Sequence, residues 1–241
     1  MIRTLWFYIW FFPLTAFFSL TAVLFGPILP EGRAGRWSGV TWSRLALFFA
    51  GVRLDVDLSA APEPGATGVI FMPNHSSNMD ILVLYAALRR YWIGYVAKES
   101  LFRIPLFGMA LRAAGHVPID RGNPRKAMKS IDYAAGQTAK GCSVVIFPEG
   151  TRARVPGEMG PFQIGGMIMA LKCGRPVVPL VIAGTERILP RKRLRLGPHR
   201  VVRVEALAPV LPGSYDIKER ELFRDELRAR MNQRFLEMRN A

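Results

Sequence analysis

Seven short segments with strand character recur along this chain, and helical stretches separate most of them. The segments are "RLDVDL" (53–58), "GVIFMPN" (68–74), "WIGYVAK" (92–98), "HVPID" (116–120), "SVVIFPEG" (143–150), "PVVPLVIAG" (176–184) and "RVVRVEAL" (200–207). The first alternates with period two; several others are continuous apolar runs ended by Pro or Gly, as buried strands are. Between them, residues 81–90, 101–115 (broken at Pro105), 124–141 and 164–174 have helical composition. Residues 216–239 form a charged amphipathic helix with apolar positions at Leu222, Phe223, Leu227, Met231 and Phe235. Such alternation predicts an α/β fold with a mostly parallel central sheet flanked by helices. At 241 residues, one such layer accounts for the chain. Met109, Met167 and Met169 read as core residues.

Ahead of this body lies a different kind of sequence. From Thr4 to Pro30 there is no charged residue. About 20 apolar residues suffice to span a bilayer, so the run predicts an N-terminal membrane-embedded helical motif, either one span kinked at Pro13 or two shorter helices entering one leaflet. Trp6, Tyr8 and Trp10 suit the interface. A signal peptide fits less well, since Arg3 is the only n-region charge and no small-x-small site follows. A buried core helix is the plain alternative. Arg33, Arg36 and Arg44 after the run place the remainder on the cytoplasmic face. The expected division is residues 1–50 for the membrane motif and 51–241 for the α/β domain.

Charge narrows the partners. The chain carries 33 Lys+Arg against 18 Asp+Glu, a net charge of +15, which favours polyanions. Nucleic acid is disfavoured because no basic-aromatic motif appears, leaving anionic lipid. The six Lys and Arg of "RILPRKRLRLGPHR" (187–200) read either as a solvated loop or as a headgroup contact. Two cysteines without metal-like spacing and three scattered histidines argue against a zinc site.

Ligands of open α/β sheets collect beyond the carboxyl ends of strands. There this sequence places His75, Lys98, Asp120 with Arg121, and Glu149 with Gly150, Thr151 and Arg152. His75 and Asp80, five residues apart, would face ways differing by roughly 140° on one helix. They can meet only if "HSSN" forms a turn and the helix begins near Asp80; Pro73 and the Asn and Ser content favour that turn. The bland alternative makes His75 a loop histidine and Asp80 an N-cap. A carboxylate-held imidazole is a good general base. With no GxSxG elbow present, the nucleophile would be a hydroxyl on the substrate. Arg121, Arg152 and Lys98 suit phosphate oxygens, while Glu149 suits either a substrate hydroxyl or an ion pair with Arg152 or Arg121. No Walker A or dinucleotide fingerprint exists, so a phosphorylated polyol is the better-fitting substrate.

"NHSSNMD", "HVPIDR", "FPEGTR" and "VVPLVIAG", in that order, resemble the four blocks of the glycerolipid acyltransferases. The closest subgroup is the bacterial 1-acyl-glycerol-3-phosphate acyltransferases. The resemblance covers Gly68 to Gly184, half the chain. It implies His75 as base and Asp80 as its orienting partner. Arg121, Glu149, Gly150, Thr151 and Arg152 would bind glycerol phosphate, with Lys98 assisting, and the segment around Pro179 would shape the acyl-donor side. It further implies transfer from acyl-CoA or acyl carrier protein to lysophosphatidic acid, giving phosphatidic acid at the inner membrane, with no cofactor or metal. Two departures stand out: Gln163 and Ile164 where many members carry a lysine, and Pro118 where an aromatic is common. Another lyso-lipid acceptor such as lyso-ornithine lipid, a hydrolase and a non-catalytic anionic-lipid binder are the alternatives.

Overall fold

The structure, a computed structural model, describes residues 1–26, 28–29, 32–120, 124–211 and 213–240, apart from the side chains of residues 124–127. Its strands are β1 (Arg53–Asp57), β2 (Ile70–Pro73), β3 (Ile93–Lys98), β4 (Val117–Ile119), β5 (Ser143–Val145), β6 (Val177–Ala183) and β7 (Val201–Ala206). All seven predicted strands are present, each shorter than its sequence segment. They form one sheet in the order β1-β7-β6-β2-β5-β3-β4. Every neighbouring pair is parallel except β6 with β7. β6, β2, β5, β3 and β4 therefore end at the same edge, and the residues after them share it.

Side chains one apart on a strand point to opposite faces, and two cores result. Phe71, Val145, Leu180 and Ile182 belong to one; Ile70, Met72, Val144 and Val181 belong to the other. The helices are α1 (Ile2–Phe25), α2 (Arg33–Phe49), α3 (Met79–Ala87), α4 (Phe107–Ala113), α5 (Pro124–Ala139), α6 (Ile164–Cys173), α7 (Thr185–Ile188) and α8 (Arg220–Asn240). The first core is roofed by α3 and reaches α1 and α2; the second is closed by α5, α6 and α8. On α8, Phe223, Leu227, Met231, Phe235 and Met238 are buried at helical spacing, whereas Leu222 faces outward. Met167 and Met169 are core, but Met109 is 55% exposed, because α4 is a two-turn surface helix.

Of the two expected arrangements, the N-terminal run takes the single helix rather than the two shorter ones. It is a single helix that continues through Pro13 and ends at Phe25, followed by the separate α2. Only 22% of its most apolar 18-residue window is buried, which argues against a core helix. Trp6, Trp10, Phe12, Phe17, Leu20 and Leu24 stand exposed on it. α1 is long and apolar enough to cross a membrane. Its other side packs on α2 and α4, and α2 packs in turn on α3.

Candidate active site

The site begins where β2 runs out. Pro73 ends the strand, and the Asn74 side chain then bonds both ways with Ile182 of β6, donating from Nδ2 to the carbonyl (2.9 Å) and accepting its N–H on Oδ1 (2.7 Å). This clasp fixes the first residue of the turn. Ser77 Oγ donates to the Leu189 carbonyl (2.7 Å) and accepts the Met79 N–H (3.1 Å). Helix α3 then starts at Met79, so Asp80 is its second residue and looks back over the turn rather than capping it.

That arrangement brings the expected pair together: His75 Nδ1 lies 2.8 Å from Asp80 Oδ2. The same oxygen accepts the backbone N–H groups of Ser76 and Ser77, both at 2.8 Å. An oxygen that accepts twice from amides is the acceptor in the third bond as well. Nδ1 therefore carries the proton, and Nε2 keeps its lone pair. Asp80 is fully buried, and its Oδ1 has no hydrogen-bond partner among the described residues. The His75 side chain is 16% exposed, and its ring stacks on Phe147 at 4.0 Å between centroids. One imidazole orientation, one tautomer and partial access result, as a general base requires.

Glu149 holds the other side of this turn. Its Oε1 accepts the His75 N–H (2.7 Å) and its Oε2 accepts the Gly160 N–H (2.8 Å). It makes no ion pair with Arg152 among the described residues. Burial pushes its carboxyl up from the ordinary value, outweighing the two amide donors that pull it down. The backbone reverses at Gly150, whose φ of +69° is left-handed and suits glycine. Ala153 N–H then returns to the His75 carbonyl at 2.7 Å.

Of the other sequence-predicted residues, Lys98 ends β3 and is exposed, Thr151 is exposed and Arg152 is half-buried. Arg121 lies outside the described residues. Glu149, Gly150 and Thr151 line a cavity of about 640 Å³ whose remaining wall includes Ile119, Ile146 and Ile168. Its lining is thus largely apolar with a few polar groups, a composition suited to an amphiphile. Among the described residues no group of three or more His, Cys, Asp or Glu side chains gathers to hold a metal.

Sequence reasoning missed Asn74, Phe147, Gly160 and a second buried cluster. In that cluster, His116 Nδ1 accepts the Tyr95 N–H (2.8 Å), which leaves the proton on Nε2, 2.8 Å from the Tyr85 hydroxyl. Burial holds the His116 pKa down at about 4. Asn74, His116 and Phe147 each begin a quoted motif, which was the available signal; Gly160 lies in none of the four.

A mostly parallel sheet with a carboxylate-fixed histidine at the strand ends, beside a largely apolar cavity, is an arrangement able to take a proton from a hydroxyl of a lipid-like substrate. The model of the Acyltransferase family matches residues 57–183, and the chain belongs to that family. It is 34% identical over 151 residues to a chloroplastic 1-acyl-sn-glycerol-3-phosphate acyltransferase of Brassica napus, covering 63% of this chain and 43% of that protein. It is 30% identical over 226 residues to a 1-acyl-sn-glycerol-3-phosphate acyltransferase of Salmonella typhimurium, covering 93% and 89%. The chain spans about half the length of the plant relatives that it matches. The fold is shared with the crystal structure of the 1-acyl-sn-glycerophosphate (LPA) acyltransferase PlsC from Thermotoga maritima. There the TM-score is 0.81 at 23% identity, over 98% of this chain and 95% of that one.

Proposed function

We propose that this chain transfers an acyl group from a thioester, acyl-CoA or acyl carrier protein, to the free sn-2 hydroxyl of 1-acyl-sn-glycerol-3-phosphate, giving phosphatidic acid. The observation that carries the reading is the His75 tautomer, which keeps a lone pair on Nε2, in a ring stacked on Phe147 and a backbone held by Glu149, two residues that line a largely apolar cavity. His75 Nε2 takes the hydroxyl proton as the oxygen attacks the thioester carbonyl carbon. Asp80 stabilises the imidazolium that forms. Collapse of the tetrahedral intermediate breaks the C–S bond, and the leaving thiolate takes the proton back from Nε2. The products are the diacylated phosphate ester and a free thiol.

Arg121, Arg152 and Lys98 hold the phosphate, with Gly150 and Thr151 at the glycerol. Glu149 offers a remaining lone pair to an acceptor hydroxyl while it clamps the His75 backbone. Residues 1–50 form the membrane motif and 51–241 the acyltransferase domain, on the cytoplasmic face of an inner membrane. The three arginines after α1 support that orientation.

Thiol release from acyl-CoA by the purified chain in neutral detergent, with and without 1-acyl-sn-glycerol-3-phosphate, tests this. The expected result is acceptor-dependent release that falls in His75→Ala by about two to four powers of ten, with melting unchanged. Release independent of acceptor would reveal a hydrolase. Near-normal release in the variant would remove His75 from the chemistry.

A further inference from the structure

The segment between α7 and β7 takes no part in the proposed reaction, yet it is built with care. Lys192, Arg193, Leu194 and Arg195 are four consecutive exposed residues, and Leu194 is 77% exposed. Lys192 adopts a left-handed φ of 64°, which turns the chain at the tip. Among the described residues Lys192, Arg193, Arg195 and Arg200 form no ion pair. A merely solvated loop would explain the cations but not the leucine held out among them, nor the way the segment is tied down.

The ties run to both the apolar helix and the site. Leu196 is buried, and its N–H donates to Thr4 Oγ1 (3.1 Å). Arg3 donates from Nη1 to the Gly197 carbonyl (2.6 Å) and from Nη2 to the His199 carbonyl (3.1 Å). The tip thus sits beside the first turns of α1, where Met1, Ile2 and Leu5 are 90%, 86% and 64% exposed. At the other end, Leu189 accepts Ser77 Oγ, and Arg191 Nη1 donates to the Arg152 carbonyl (2.7 Å).

We propose that residues 192–195 dock on the surface of an anionic phospholipid bilayer. Lys192, Arg193 and Arg195 meet the lipid phosphates, and Leu194 enters the boundary with the acyl chains. Three cations without ion pairs among the described residues, flanking one exposed leucine, match that surface in charge and polarity, and the residues just after the tip are tied to the first turn of α1. Through Arg191 and Ser77, docking sets the level of the Arg152 loop and the His75 turn at the headgroups. That consequence, unlike the docking itself, rests on the acyltransferase reading.

Partition of the full-length protein between phosphatidylglycerol-containing and pure phosphatidylcholine vesicles isolates the charged contact, because α1 contributes to both. Neutralising the tip in the triple variant Lys192→Gln, Arg193→Gln, Arg195→Gln is expected to lower the preference for anionic vesicles by about a hundredfold at low salt. The matched variant Lys129→Gln, Lys140→Gln, Lys172→Gln, with unchanged net-charge difference, is expected to stay within about threefold of wild type. A polarity-sensitive fluorophore on Leu194→Cys should shift to the blue only with anionic vesicles; Cys142 and Cys173 are buried and escape labelling. Melting temperatures confirm that the variants fold. An unchanged preference, an equal loss in the control, or a fluorophore that remains in water would each overturn the docking proposal, whatever the outcome of the thiol-release assay.

Discussion

At the scale of single residues, two of the three histidines are given opposite surroundings. His75 is half-open and has its Nδ1 proton held by Asp80. In Asp80→Asn the amide oxygen can take the place of Oδ2 and keep its three donors, but the negative charge beside the imidazole is lost and an NH2 is buried where Oδ1 has no partner among the described residues. The imidazolium then loses the charge that stabilises it, and thiol release is expected to fall by about two to four powers of ten, about as far as in His75→Ala. His116 is sealed, accepts a main-chain N–H and donates to Tyr85. Its pKa falls from 6.5 to about 4 because burial disfavours the charged ring. The unfolded chain binds that proton more readily than the folded one, so stability present above pH 6.5 is lost as pH falls towards 4, by about 3 kcal/mol in all. Melting in neutral detergent from pH 7 to pH 4 checks this. His116→Asn, which keeps an acceptor near the Tyr95 N–H, is expected to show a lower melting point at neutral pH and a flatter dependence on acid. An undiminished slope in that variant would assign the acid sensitivity to another group.

At the scale of elements, the strands were legible because burial on both faces leaves so little freedom in composition. "VVPLVIA" is buried at every position of β6, and a run of that kind between Gly and Pro signals admits few other structures. The meeting of His75 and Asp80 was legible as a condition, a turn followed by a helix starting near Asp80, and α3 meets it by beginning at Met79. What could not be read was the support behind the pair. Glu149 reaches the His75 backbone across 74 positions of chain, and contacts at that separation leave no local pattern. Gly160 is the sharpest case: a Cβ there would lie 2.6 Å from Glu149 Oε2, so the loop can approach the carboxylate only without a side chain. Gly160→Ala should displace a buried, doubly bonded carboxylate at a cost of about 1–3 kcal/mol, lowering melting by about 2–4 °C for each. Thiol release should fall with it, because the His75 N–H loses a fixed acceptor. A variant with normal melting and normal release would show that the Glu149 clamp is dispensable.

At the scale of the whole molecule, the helix that the sequence marks as membrane-seeking is also part of the packing behind the site. Phe7, Phe18 and Ala22 of α1 are buried although half of its residues are exposed. α1 rests on α2 and α4, and α2 rests on α3, the helix that carries Asp80. The contact between α2 and α3 is close: a Cβ at Gly39 would lie 2.4 Å from the Tyr85 ring. A helix that only anchored the protein would be removable without harm in detergent, whereas one that also packs would not. Burying a phenylalanine contributes about 1.5–3 kcal/mol, so losing Phe7 and Phe18 alone withdraws roughly 3–6 kcal/mol from a stability of about 5–15 kcal/mol. Deleting residues 2–25 should therefore lower the melting point in neutral detergent by on the order of 10 °C and reduce thiol release even when donor and acceptor share the micelle. It also cuts the Arg3 and Thr4 ties to the segment before β7, so the loss should exceed that of Phe7→Ala and Phe18→Ala combined. If the truncated protein melted and turned over like the full chain, α1 would be an anchor alone, and the path from the membrane to Asp80 through α2 would carry no energy.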